Sequence, residues 1–118
     1  MAQEEKQLLL RDLCARLPYG LKLRYVEDLV VKKESHIITL NNAYLEHILN
    51  GDADIKPYLR PMSSMTEDEK RDLGGDIHTY YTIREIDWLN AHHFDYRGLI
   101  DKGLALEAPE GMYKYEND

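Results

Sequence analysis

Two prolines, Pro57 and Pro61, bracket the middle of DIKPYLRPMSSMTEDE at residues 54–69, and no other stretch of the chain restricts its backbone so tightly. Each proline removes a ladder donor and pushes the residue before it into extended conformation, here Lys56 and Arg60. Alternation along an extended segment then sends Ile55, Pro57 and Leu59 to one side and Lys56, Tyr58 and Arg60 to the other. A strand so short of donors is expected at a sheet edge or as a polyproline-like strap, not in a central position. Directly after it, Thr66 and Glu69 match a capping box with acids in the first turn, and Gly74-Gly75 stop the helix. The segment reads as a stiff strap joining a small β-unit to helices. Its prolines are spaced P-x-x-x-P, not P-x-x-P, which disfavours a polyproline ligand.

Upstream of the strap the hydrophobic period changes once. Over residues 3–17, Leu10, Leu13, Cys14 and Leu17 recur at i, i+3, i+4 and i+7, the apolar stripe of a helix, with Arg11 and Arg16 off it. Cys14 on that stripe is expected to be a small buried hydrophobe with an inert thiol. Pro18 stops the helix and Gly20 turns the chain. From Gly20 the pattern alternates, with Leu21, Leu23 and Tyr25 on one face and Lys22 and Arg24 on the other. Residues 29–31 and 36–40 add β-branched runs, which predicts a three-strand antiparallel meander. The run NNAYLEHILNG then supplies a cap at Asn41 or Asn42 and the apolar pairs Tyr44–Ile48 and Leu45–Leu49, one or two helical turns with His47 toward solvent.

Downstream, Thr82 and Glu85 form a second capping box at the start of IREIDWLNAHH, with Ile83, Ile86, Leu89 and Asn90 along one side and Trp88 off it. A short helix is expected over YRGLIDKG, with Leu99 and Ile100 inward and Gly103 ending it. The last residues, past about Met112, are expected to fray.

Charge and composition narrow the function. The net charge is −7, and residues 60–118 hold 13 Asp+Glu against 7 Lys+Arg, while residues 1–59 hold 9 against 8. An acidic chain repels phosphate backbones at long range, so nucleic acid is disfavoured. The exception is a local patch of Lys22, Arg24, Lys32 and Lys33 around Tyr25, the candidate surface if nucleic acid is bound after all. One cysteine allows no intrachain disulfide, and the N-terminal leucines are interrupted by charges, so a cytoplasmic protein without targeting or membrane-crossing segments is expected. The histidines at 36, 47, 78, 92 and 93 form neither H-x-x-x-H nor H-E-x-x-H, so no metal, cofactor or catalytic residue is assigned. His92 and His93 fit a helix C-terminus, where a polar or positive side chain meets the dipole. Nine tyrosines stand against one Trp and one Phe. Tyrosine offers apolar area with a polar tip, which binding surfaces favour, and Tyr58, Arg60, Tyr80, Tyr81, Tyr96 and Arg97 are the candidate partner-binding residues.

The phrases LLLRDLCARLPYGLK, IKPYLRPMSSMTEDEK and HFDYRGLIDKGLALEAPEGMY resemble a family of small uncharacterised proteins of gut anaerobes, often encoded in phage-like or other mobile regions. The resemblance covers both ends and the middle of the chain, departs between Val26 and Asp54, and implies a shared fold and a mobile-element setting without assigning an activity. The expected architecture is a single α+β domain over residues 1–112 with an acidic tail at 113–118. It combines an N-terminal helix, a small bent antiparallel sheet resembling an SH3-like barrel, and a C-terminal helical segment. The expected function is non-enzymatic binding of an unidentified protein, as a monomer or weak dimer. Its sharper form is an acidic inhibitor occupying the basic groove of a host nucleic-acid enzyme. Direct nucleic-acid binding by the β-unit is the first alternative, and a small metal-dependent enzyme the second.

Overall fold

In the computed structural model, residues 3–28, 32–50, 54–74 and 81–113 are described, with Glu27, Asp28 and Asp54 described by their backbone alone. Helix α1 (Gln3–Arg16) carries Glu4 and Glu5 in its first turn and passes into a 3₁₀ turn, Leu17–Tyr19, where Pro18 ends the helix and Gly20 turns back at φ 69°. Its buried stripe is Leu9, Asp12, Leu13 and Arg16. This corrects the expected stripe: Cys14 is exposed, and Leu10 and Leu17 are half-buried. The helix is turned because Asp12 and Arg16, one turn apart, are buried as an ion pair with both side chains 0% exposed, so charge fills positions that periodicity gives to apolar residues.

Strands β1 (Lys22–Asp28) and β2 (Lys33–Thr39) pair antiparallel, from Lys22 opposite Thr39 to Asp28 opposite Lys33. The direct pairing replaces the expected three-strand meander with a hairpin; residues 29–31, assigned to a middle strand, lie outside the described residues. The third antiparallel strand is β3 (Asp54–Leu59) on the other side of β1, and the two-residue β4 (Leu106–Glu107) adds parallel to β3. The order is β2-β1-β3-β4, a mixed, open sheet with β2 and β4 at its edges; no pairing among the described residues closes it into an SH3-like barrel.

The order places Pro57 in an inner strand, against expectation, yet the rule behind the expectation holds locally. Leu59 accepts the Ala108 amide at 2.8 Å, so its polar groups face β4. Pro57, two residues earlier, turns its nitrogen to that same side, and β4 reaches only Tyr58 and Leu59. The missing donor therefore falls where no ladder bond is made. The alternation itself is as expected: Ile55, Pro57 and Leu59 are buried, and Lys56, Tyr58 and Arg60 half-buried.

Helix α2 (Asn42–Asn50) starts where the Asn41 side chain accepts the Tyr44 amide at 2.9 Å, buries Ile48 and leaves His47 exposed. Both capping boxes form: Thr66–Glu69 opens α3 (Glu67–Leu73), closed by Gly74 at φ 107°, and Thr82–Glu85 opens α4 (Ile83–Ala91). Ile83, expected on the inner side of α4, is 82% exposed, whereas Leu89 and Asn90 are buried. In place of the short helix after Asp95 there is a run of turns. The Asp95 carboxylate accepts the Leu99 and Ile100 amides at 2.8 and 2.9 Å, and Gly98 and Gly103 both sit at positive φ, which no continuous right-handed helix permits. Leu99 still points inward, fully buried.

The main core joins Leu9 and Leu13 of α1, Ile48 of α2, the inner sheet residues Leu23, Ile55 and Leu59, and Leu99, Leu104 and Ala105. A smaller cluster of Met65, Leu73, Leu89 and Phe94 ties α3 to α4, with Trp88 packed against it. Tyr113, assigned to the frayed tail, is instead part of the fold. Its hydroxyl donates to the Tyr58 carbonyl at 2.7 Å and accepts the Lys22 amide at 2.9 Å.

Candidate functional site

Three regions collect the side chains capable of chemistry or binding. The first is a buried polar network where α1, the end of α4 and the following turn meet. Asp12 takes Arg16 on both oxygens, at 2.8 and 3.1 Å, and Arg97 Nε at 3.1 Å. Arg16 also donates to the Phe94 carbonyl at 2.6 Å. The Tyr96 hydroxyl donates to Asn90 Oδ1 at 2.9 Å and accepts from Arg97 Nη2 at 3.0 Å. Tyr96 and Arg97, read from the sequence as partner-binding residues, are thus engaged within the fold. Arg60 is engaged too: its two terminal guanidinium nitrogens each donate to one Glu69 carboxylate oxygen at 2.7 Å, and its guanidinium lies 4.1 Å from the Phe94 ring centre. Burial alone raises the Glu69 carboxyl, but the bonds from Arg60 and Thr66 and the Arg60 charge outweigh it and hold the group below its usual range. Tyr81 is half-buried against the smaller cluster, and Tyr80 lies outside the described residues.

The second region surrounds Tyr113. Its ring stacks on the His93 imidazole with centres 3.9 Å apart, and His93 is buried at φ 64°. Burial, followed by the nearby charges of Arg16, His92, Arg60 and Lys22, lowers the His93 pKa to about 3, so the ring is neutral. Two clefts share Tyr113 in their lining, one of about 390 Å³ with Tyr19, Lys22, His93 and Met112 and one of about 370 Å³ with Arg60, Thr66, Glu107 and Glu110. His92 points elsewhere, its Nδ1 2.9 Å from the Trp88 carbonyl and its ring stacked on the indole.

The third region is the outer face of the sheet. The register sets Lys22 beside Thr39 and Arg24 between Ile37 and Lys56, and continues to bring Tyr58 beside Lys22, where the shared Tyr113 hydroxyl bridges them. One face therefore presents Lys22, Arg24 and Lys56 with Tyr58 and Ile37, the last 60% exposed. The structure splits the nucleic-acid set read from the sequence. Lys22, Arg24 and Lys33 share this face, whereas Tyr25 is turned to the other, its ring 6.5 Å from that of Tyr44. Lys32 precedes β2 and pairs with Glu34 at 2.8 Å. Lys56 and Ile37 were missed in the sequence because neither stands out until cross-strand register places them beside Arg24.

Among the described residues no three His, Cys, Asp or Glu side chains gather as metal ligands would, and no helix is long and apolar enough to cross a membrane. Compared with protein-family models, with curated proteins and with solved structures, the chain finds no match.

Proposed function

We propose that the chain is a non-enzymatic protein-binding module of a mobile genetic element, working in the cytoplasm as a monomer or weak dimer, and that it takes its partner on the outer face and outer edge of its sheet. The observation that carries this reading is Ile37, a β-branched residue 60% exposed on an edge strand with three cations and a tyrosine arrayed behind it. An edge strand presents a row of backbone N–H and C=O groups that another chain can pair with, and Ile37 puts an apolar side chain beside that row. The buried acids and histidine among the described residues support the non-enzymatic part, because each is engaged in holding the fold: Asp12 by two arginines, Asp95 by two turn amides and His93 by the Tyr113 ring. The sharper form, mimicry of nucleic acid by the acid-rich half, draws less support, since Glu67, Asp68 and Glu69 of α3 are matched by Lys70, Arg71 and Arg60. Affinity capture from the native host with wild-type and Ile37→Glu protein tests the reading. Capture is expected to be lost in the variant while its melting temperature stays put; capture retained by a folded variant overturns the assignment.

A second reading is favoured by Tyr58 standing beside Lys22 on the cationic face, the aromatic-plus-cation arrangement on which single strands stack. It predicts a mobility shift with single-stranded oligonucleotides that Lys22→Glu removes.

A further inference from the structure

We infer that the partner is an acidic extended segment of another protein, added to β2 as a fifth strand with an apolar side chain against Ile37 and a carboxylate two residues away over Thr39. The inference rests on the protein-binding reading above and specifies the chemistry of its partner. Its geometry begins with one backbone bond: the Leu40 amide donates to the Leu21 carbonyl at 2.8 Å, so Leu40 turns its polar groups toward β1. Backbone groups in a strand alternate sides with each residue. Thr39, Ile37, Ser35 and Lys33 therefore turn their N–H and C=O groups to the outer edge, and among the described residues β2 is the last strand of the sheet. These same residues carry their side chains on the face shared with Lys22 and Arg24. An added strand would meet the edge through residues whose own side chains land on that cationic face.

Charge then selects the occupant. Behind Thr39 and Ile37 stand Lys22 and Arg24, and behind these Lys56, on strands spaced about 4.8 Å apart. A carboxylate on an added strand would find these cations on its own face of the sheet, where opposite charges across strands attract. The acid is thus placed at the Thr39 end. On the opposite face Glu34 is already bridged by Lys32 at 2.8 Å, so it adds little repulsion.

The test uses the whole chain and blocked peptides as long as β2, alternating Glu, Val and Thr on one face, with Lys in place of Glu in the control. Binding is read by calorimetry and by amide-exchange protection over residues 33–39. The Glu peptide should bind and protect that edge, and the Lys peptide about tenfold more weakly, the factor expected when cross-strand attraction becomes repulsion. N-methylation of the residues in register with Ile37 should abolish binding, while methylation of the intervening residues should spare it. Lys22→Glu should reverse the preference between the two peptides. Equal binding of both peptides with the methylation frame intact would leave strand addition standing and overturn the acidic partner. Binding indifferent to the methylation frame, or no binding by either peptide, overturns the inference, and the Ile37→Glu capture then decides separately whether the protein-binding reading survives. A single-stranded oligonucleotide that displaces the Glu peptide from the face would overturn it in favour of nucleic acid.

Discussion

His93 occupies the position after the cap of α4 at φ 64°, where glycine is the usual residue. The bonds around it explain the geometry: Phe94 N–H reaches back to the Leu89 carbonyl at 3.0 Å and His93 N–H to that of Asn90 at 3.1 Å, the paired bonds of a Schellman turn. A β-carbon in that conformation costs energy, and stacking on Tyr113 offsets part of the cost. Burial and nearby charge together keep the imidazole neutral to about pH 3, whereas in the unfolded chain it takes a proton near 6.5. Between those values the unfolded chain binds the extra proton, so the contribution of His93 to stability is whole above pH 6.5 and is lost as the pH falls. The slope approaches 1.4 kcal/mol per pH unit, or about 2 kcal/mol by pH 5. Replacement by asparagine, which tolerates the left-handed conformation, should remove this slope. Urea unfolding between about pH 7 and pH 5 checks it, and equal slopes for wild type and His93→Asn would show that the ring titrates normally. Two adjacent histidines at a helix end were legible in the sequence as dipole partners. His92 sits against the Trp88 carbonyl and His93 is buried under Tyr113, and nothing local to the sequence distinguishes the two.

Elements defined by their own first turn were the most legible. Thr66 and Thr82 each lie three residues before a glutamate, and both boxes close as the spacing requires. What spacing does not carry is the second use of Glu69. One carboxylate oxygen receives the Thr66 amide at 3.0 Å, and the pair of them receives Arg60, so this cap also fastens α3 to the residue following β3. The Arg60 and Glu69 side chains are 16% and 13% exposed, which screens the pair less than a surface bridge. Thr82→Ala should cost about 1 kcal/mol, the usual loss of a cap. Glu69→Gln should cost about 2 kcal/mol, because it weakens the cap and strips the charge from a bidentate bond in one step. Since the folded Glu69 pKa lies below its ordinary value, that extra stability is present above the ordinary value of 4.5 and lost as pH falls through the folded one. Chemical denaturation at neutral and acid pH checks both points, and costs that match at neutral pH would reduce Glu69 to a simple cap.

The strands and α1 illustrate the opposite case, in which long-range partners decide. Alternation identified the inner faces of β1 and β3 correctly, but β4 is two residues long and exists only because the chain returns beside Tyr58 and Leu59. In α1, periodicity chose Leu10 and Cys14 over Asp12 and Arg16, since nothing within one helix reveals a carboxylate whose second partner is 85 residues away. That carboxylate is where the molecule is most exposed to a single change. Asp12 is the one acid among the described side chains bonded to both Arg16 and Arg97, and Arg16 and Asp12 are fully buried. Asp12→Asn should therefore cost about 3–5 kcal/mol by leaving buried positive charge uncompensated. Replacing Asp12 and Arg16 together by Leu and Met removes the buried pair and should recover part of that loss. Recovery stays incomplete, because Arg97 loses its carboxylate and the Phe94 carbonyl loses the Arg16 donor at 2.6 Å. Urea unfolding of the single and double variants settles the order. A double variant no more stable than Asp12→Asn would mean that shape at the junction of α1 and the turn after α4, and not charge pairing, holds the two halves of the chain together.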